Sequence, residues 1–586
     1  MAKSTRPQAS QIMTSWGLTA QAIFDILYTA NNGIFHVDTY GAKGDWNGTT
    51  GTDDTKAFNR AFGAAIAAGG GRVVASGGKR YRITHTVFYG SNTIFDGCGA
   101  EVFFDVLSND GSAFMPDQYQ SSTAYTTDVV FQNFILNGPV GRGNGIAASR
   151  ARRLTMFNVG SKYLHWHMFD GAGGQQIKIS NCWSEGTQTA AFQADNATYG
   201  KASWAVDENN VVHEIHFVTG GDSNTNTRDM LVTGCTVRNA RLAAVHLHNT
   251  NNQNITITDN HFEGCGTAVW ADDNVSFFQR NIRIANNKFV NNDVDVGFFS
   301  GFDNVSIIGN SFYGGNTDKY YYGVRFLAKG GSGPAKRENL SINNNHFKGR
   351  IRPVYINGCN AISVDNNNFV ACGGTVAPAN DAGIVAVEAR SLVRIAGCFT
   401  GTVSGNVFRD CLLPVCISTA KDEVTNAYAT GIKVDNNVSQ GSGALVAMHY
   451  ADRCSAYSNE YIGLTTDFYG IYIGETSLAC VVDGFYCSQG SGQAVKVNGG
   501  PRHVVRNVVA YSGTSTKSAI EFYNTNTARS MNNVVMGGYS PTAPILLSGT
   551  TVNYVGDEPN LTIAKKDTAT GVKVDYTKSA VTIQAE

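Results

Sequence analysis

Six Asn-x-aromatic tripeptides recur through the middle of the chain: Asn260-His261-Phe262, Asn287-Lys288-Phe289, Asn310-Ser311-Phe312, Asn345-His346-Phe347, Asn367-Asn368-Phe369 and Asn406-Val407-Phe408. Each follows a short alternating run, such as Ile255-Thr256-Ile257 or Val305-Ser306-Ile307. The spacing wanders over roughly 22 to 39 residues, the size of a solenoid repeat whose loops vary in length. Between tripeptides lies a further short strand, as in Ala244-Val245-His246-Leu247-His248, Ala268-Val269-Trp270-Ala271-Asp272 or Pro353-Val354-Tyr355-Ile356-Asn357. A unit of short period-two strands cornered by Gly and Asn has no room for a helix. Such a unit cannot bury its apolar face alone, so units must stack, each strand pairing with its equivalent in the next coil. The pattern predicts an all-β chain folded as a right-handed parallel β-helix. Val245, Leu247, Val269 and Ala271 point inward, and His246, His248, Trp270 and Asp272 point outward. The repeated asparagines are read as turn residues that tolerate left-handed backbone and stack from coil to coil as a ladder.

Composition narrows the partners. Only 16% of residues are charged and the net charge is -1, against roughly 25% charged in ordinary domains, so neither nucleic acid nor membrane insertion is expected. No apolar run reaches the ~18 residues of a membrane span, and the first residues lack a signal-peptide core. The 12 cysteines form no CxxC pairs and are read as buried, reduced fillers, which suits assembly in a reducing cytoplasm.

Residues Ser10 to Ala30 read as a helix with one broad apolar face, best covered by self-association or by packing on the β-helix end. Next come Tyr40-Gly41-Ala42-Lys43-Gly44-Asp45 and Thr52-Asp53-Asp54-Thr55, with Thr52 or Asp53 capping an amphipathic helix that Gly69 to Gly71 end. Strands Arg72-Val73-Val74-Ala75 and Tyr81-Arg82-Ile83 follow. This opening segment resembles that of pectate-lyase-like β-helix proteins, above all phage tailspikes that depolymerise capsular polysaccharide or O-antigen. The resemblance implies a pectate-lyase-like solenoid, a homotrimer, a place on the virion tail, and attachment to a phage tail or adaptor protein through the N-terminal segment. It implies a structural role for the opening aspartates. The expected organisation is 1–33 as a helical attachment segment, 34–96 as the opening segment with its capping helix, 97–552 as the β-helix carrying the glycan site, and 553–586 as a terminal cap or trimer contact whose strands leave the repeat.

Equivalent positions on successive coils stack at roughly 4.8 Å. Aligning Trp166, Phe192, Val245, Val269, Val296, Val324 and Val354 as inward residues gives a first outward column of His167, Gln193, His246, Trp270, Gly297, Arg325 and Tyr355. The second column is then Phe169, Asp195, His248, Asp272, Phe299, Leu327 and Asn357. Later coils contribute Val385, Cys416 and Val446, which carry no chemistry. A long insertion, Ala197 to Asp229, with Trp204, Asp207, Glu208, His213, Glu214, His216 and Asp222, interrupts the repeat beside the polar columns, where binding loops are commonly built.

Asp195 and Asp272, two coils apart, are the candidate pair of carboxylates for an inverting glycosidase, which holds them ~6.5–9.5 Å apart. His248 lies between them and Asp273 is the reserve; Glu214 and Glu388 are weaker candidates. Gln193, His246, Trp270, Arg325 and Tyr355 are the candidate sugar contacts, the aromatics by stacking and Arg325 through an anionic substituent. No cofactor is expected, and no metal site, since no ligand motif can be checked across coils. The expected substrate is a bacterial surface polysaccharide. The alternatives are β-elimination with His246, His248 or Lys319 as base, and a spike that binds without cleaving. For each carboxylate alone, a turn cap or solvated charge is the ordinary explanation; the cluster is what points to a site.

Overall fold

The computed structural model describes residues 33–105, 111–118, 124–195, 203–206, 212–215, 226–248, 251–271, 278–315, 322–327, 336–373, 391–411, 415–421, 426–441, 444–464, 469–474, 476–490, 493–510 and 520–523, and the strands 533–536, 545–547, 552–556, 562–565, 573–576 and 582–585. The chain divides into two compact units, Met1–Asp272 and Asp273–Glu586. Each is a run of parallel coils, and the fold is a right-handed parallel β-helix, right-handed as parallel crossovers almost always are. The expected 10–30 helix lies outside the described residues.

The first unit opens with strand Ile34–His36 paired to Gly71–Val74 and then to Thr93–Phe104. Helix Thr55–Ala67 closes this end, burying Ala57, Phe58, Ala61, Phe62 and Ala65. Phe58 and Phe62 pack on Phe95 at ring separations of 5.9 and 5.8 Å. The cap differs in detail from expectation: Asp54 is the N-cap residue but its carboxylate accepts instead from the Lys43 and Gly44 amides. Asp53, one residue earlier, accepts from the amide and hydroxyl of Thr55. At the other end the Gly70 amide returns to the Ala65 carbonyl, as a glycine stop requires.

In the second unit each coil carries three strands, for example Gly301–Ile308, Ser311–Tyr313 and Tyr322–Phe326, each pairing in parallel with its counterpart one coil on. Two ladders run through these coils. Phe289, Phe312, Phe347, Phe369 and Phe408 stack face to face inside, with centroids 4.8, 4.5, 5.0 and 4.7 Å apart. Asn287, Asn310, Asn345, Asn367, Asn406, Asn437 and Asn459 form the expected ladder, each Nδ2 donating to the next Oδ1 at 2.9–3.1 Å. The left-handed turn falls one residue earlier than the sequence pattern suggests: Asn286, Gly309, Asn344, Asn366, Gly405, Asn436 and Ser458 take positive φ. The ladder residue therefore sits buried, its amide consumed by the stack.

The C-terminal strands also depart from expectation. Thr562–Lys565 and Thr582–Ala585 continue the parallel pairing of Ile545–Leu547, and Lys573–Tyr576 continues that of Val552–Gly556. They stay in the repeat rather than leaving it. All 12 cysteines are free and all but Cys98 are buried, many donating Sγ–H to carbonyls of their own or the preceding coil, as Cys182 does to Ser180 and Met156.

Candidate active site

In the first unit the outward face of one strand stack collects the polar residues. Strands His167–Asp170, Ala190–Ala194, Ala243–Leu247 and Thr267–Ala271 pair in parallel, with Phe169, Phe192, Val245 and Val269 in one inward column. The outward column is Asp170, Gln193, His246, Trp270. The column predicted from sequence is right from Gln193 to Trp270 and wrong at its start. Phe169, not Trp166, is the partner of Phe192, so His167 pairs with Ala190 and Asp170 takes the outward place.

The side chains form one network. Gln193 Nε2 donates to Asp195 Oδ2 at 3.2 Å, and His248 Nδ1 lies 3.1 Å from the same oxygen. Gln193 Oε1 lies 3.1 Å from His246 Nδ1. A carboxylate and an amide oxygen only accept, so both imidazoles carry their proton on Nδ1 and, when neutral, leave Nε2 as the acceptor. His246 lies flat on Trp270, centroids 4.4 Å apart and planes 4° from parallel, and its ring centre is 4.7 Å from that of His248. Asp195 is 7% exposed and His248 32%, so the carboxylate is the buried anchor and the imidazole the solvent-facing group.

His167 is buried nearby, its Nδ1 on the Ala190 carbonyl at 3.3 Å. Burial, and then the neighbouring imidazoles of His246 and His248, hold its pKa well below the usual histidine value. It stays neutral, a packed histidine and not a ligand. Asp170 lies one rung from Gln193 and two residues short of Asp195 along the strand direction, which puts the Asp170 and Asp195 backbones about 8 Å apart on one face. Sequence reasoning missed it because His167-Met168-Phe169-Asp170 has no apolar–polar alternation to mark a face.

Asp272 and Asp273 lie outside the described residues, as do Lys319 and Glu388. The 197–229 insertion contributes an antiparallel hairpin, Ser203–Val206 with Val212–Ile215, which carries Trp204, His213 and Glu214. It does not stay beside the Gln193 coil: Val206 exchanges hydrogen bonds with Thr86, from the Val206 amide to the Thr86 hydroxyl at 2.8 Å and from the Thr86 amide to the Val206 carbonyl at 3.1 Å. Asp207, Glu208, His216 and Asp222 lie outside the described residues. Among the described residues no three His, Cys, Asp or Glu side chains are grouped to hold a metal ion.

In the second unit Arg325 and Tyr355 occupy neighbouring rungs, as expected. Tyr355 is buried, and the guanidinium of Arg325 lies 4.4 Å from the centre of the Tyr322 ring. The next rungs correct the sequence alignment. Arg394, Ser418 and Ala447 follow Tyr355, not Val385, Cys416 and Val446. Arg394 stacks over Tyr355 at 5.1 Å and Arg352 over the same ring at 5.7 Å, so this strip is cationic and aromatic.

No protein-family model matches the chain. A 167-residue stretch is 29% identical to "Depolymerase 1, capsule KN3-specific" of Klebsiella phage KN3-1, covering 26% of this chain and 20% of that protein. Among solved structures, bacteriophage CBA120 tailspike protein 3 aligns over 85% of this chain and 64% of its own, at 13% identity and a TM-score of 0.44. The N-terminal fragment of bacteriophage phi29 gene product 12 aligns over 97% and 96%, at 10% identity and a TM-score of 0.40.

Proposed function

We propose that this chain is the glycan-cleaving body of a phage tailspike, a depolymerase that binds and cuts bacterial capsular polysaccharide or O-antigen by glycoside hydrolysis. The single observation that carries the reading is the outward network of Asp195, Gln193, His246, His248 and Trp270, five polar or aromatic side chains on three successive rungs. Its likeness to a capsule depolymerase over a quarter of the chain points the same way. Fold alone does not specify activity.

In this reading Asp195, oriented by its hydrogen bonds from Gln193 and His248, activates the attacking water. A second carboxylate protonates the leaving oxygen. Asp170 fits that role, since a backbone separation of about 8 Å allows the carboxyl spacing that admits a water; Asp272, the partner expected from sequence, is the other candidate. Trp270 stacks on a sugar ring, whereas Tyr355, expected from sequence to do the same, is buried beneath Arg352 and Arg394 and takes no such role. The working particle is a homotrimer, joined to the phage tail or an adaptor through its N-terminal segment.

One observation favours a second chemistry. Asp195 is nearly closed off and orients a partly exposed His248, the arrangement of a histidine base backed by a carboxylate. With that base, a uronate glycan would undergo β-elimination and leave an unsaturated product. Incubating the protein with a panel of capsular and O-antigen polysaccharides, followed by size-exclusion chromatography, tests both. Shortening without new ultraviolet absorbance supports hydrolysis, and shortening with enoate absorbance supports elimination. Binding without shortening leaves a receptor-binding spike.

A further inference from the structure

Away from the network, helix Thr55–Ala67 and the strand Val87–Tyr89 border a cavity of about 580 Å³ lined by Asp53, Lys56, Arg60, Gly63, His85 and Phe88, among others. This is the size of a small-molecule site. Most polar groups around it are already engaged. The Asn59 side chain clasps the Thr86 carbonyl and the Phe88 amide, and Asp53 accepts from Thr55 and Thr84.

Three features are not explained by the protein's own packing. Lys56 and Arg60 stand four residues apart on one helix face and neither carries an ion pair among the described residues, a like-charge arrangement that a helix does not favour. Lys56 also stands in the first turn, where the helix dipole favours anions. Gly63 sits inside the helix, where glycine is unfavourable relative to alanine, although a Cβ there would meet nothing within 4 Å. The third feature is His85. Thr84 has one hydroxyl hydrogen, donated to Asp53 Oδ2 at 2.7 Å, so the 2.8 Å contact to His85 Nδ1 runs from the imidazole N–H to the hydroxyl oxygen. The ring is thereby fixed, and its Nε2 is buried with no hydrogen-bond partner. Two cations against one engaged carboxylate, an open wall at Gly63 and the half-buried ring of Phe88 suit an anion with an apolar face.

The place of Phe88 supplies the class of ligand. Register carries its column through Met115, Ala147 and Asp170 to Gln193. The cavity thus lies on the same strand column as the candidate active site, four rungs or about 19 Å away, with Met115 and Ala147 buried between them. We propose that this cavity is a binding subsite for a carboxylate-bearing sugar unit, its carboxylate held by Arg60 and Lys56 and its ring resting on Phe88. The sugar identity rests on the glycan reading above; the anion site does not.

Surface plasmon resonance of the full chain against sodium glucuronate tests this, with glucose and sodium acetate at matched ionic strength as controls. The expected result is a saturable glucuronate response, absent with glucose, weakened at least tenfold in Arg60→Gln and in Gly63→Leu, which fills open space. Gly63→Ala, which favours the helix, should retain it. A glucuronate response unchanged by Gly63→Leu and Arg60→Gln, or matched by acetate, overturns the proposal. The two readings fail separately. A protein that shortens its polysaccharide but shows no Gly63-dependent glucuronate response loses this subsite and remains a depolymerase. One that binds glucuronate here and cleaves no glycan keeps the subsite and loses the depolymerase reading.

Discussion

Asp195 and His248 stand one rung apart on the same outward face, the imidazole Nδ1–H donating to the carboxylate at 3.1 Å, with Gln193 bonded to the same oxygen. Removing the charge while keeping the shape separates chemistry from packing. Asp195→Asn should lower the cleavage rate by about 10²-fold or more, the usual contribution of a positioned acid or base, with glycan binding retained. Reducing-end assays on the purified polysaccharide measure it. Activity within a few-fold of the parent would remove Asp195 from the mechanism. If His248 is itself the base, His248→Gln should be at least as damaging, and the product should absorb in the ultraviolet.

Trp270 has one face covered by His246 and remains partly exposed. Trp270→Ala should weaken glycan binding by about tenfold, corresponding to roughly 1.5 kcal/mol of lost aromatic contact, and act more on KM than on kcat. An unchanged KM would assign the ring to support of His246 alone.

Acid should destabilise the protein through its buried histidines. Burial holds His167 well below the usual value and brings His449 and His503 down to about 4. An unfolded histidine takes up its proton near pH 6.5, so the unfolded chain binds more protons between pH 6.5 and 4 and stability falls as the pH falls through that window. For His449 and His503 the loss by pH 4 is about 3 kcal/mol each. Calorimetric melting from pH 8 to 4 should show a flat midpoint above 7 and a decline below 6.5. A midpoint unchanged down to pH 4.5 contradicts the assignment.

The asparagine ladder can be cut at one rung. Asn367 accepts from both the amide and the side chain of Asn345 and donates to the Ile342 carbonyl and to Asn406. Asn367→Ala strands buried partners above and below, at a cost of about 3 kcal/mol. Chemical denaturation should register a lower midpoint. Asn368→Ala, at a partly exposed neighbour, should cost much less.

Sequence reasoning reached the fold because each coil repeats an apolar alternation and an asparagine corner, and it reached Gln193, Asp195, His246, His248 and Trp270 because their strands share one inward column. It misplaced His167, overlooked Asp170 and put Val385 where Arg394 stands. Strand His167–Asp170 is buried along its whole length, as Ala243–Leu247 is, but His167-Met168-Phe169-Asp170 lacks the apolar–polar alternation that Val245-His246-Leu247 keeps, so its register cannot be read from hydropathy. The Val385 error has its own source: Gly383-Ile384-Val385-Ala386-Val387 carries the same small-apolar pattern in sequence as the strands of the column and drew the alignment away from Val393-Arg394-Ile395. The cavity beside Gly63 was also illegible, because a glycine next to open space looks no different in sequence from one at a turn.

The ladder residues of the second unit are separated by 23, 35, 22, 39, 31 and 22 residues, yet each makes the same bond to the next. Coil-to-coil distance is therefore independent of how much chain lies between rungs. Genetic exchange that joins two related chains at matching asparagines would swap everything between those points, loops and outward residues included, while preserving the inner stack. The corner asparagines in that sense mark natural crossover points, through which a lineage could change the surface it recognises without rebuilding the axis that supports it.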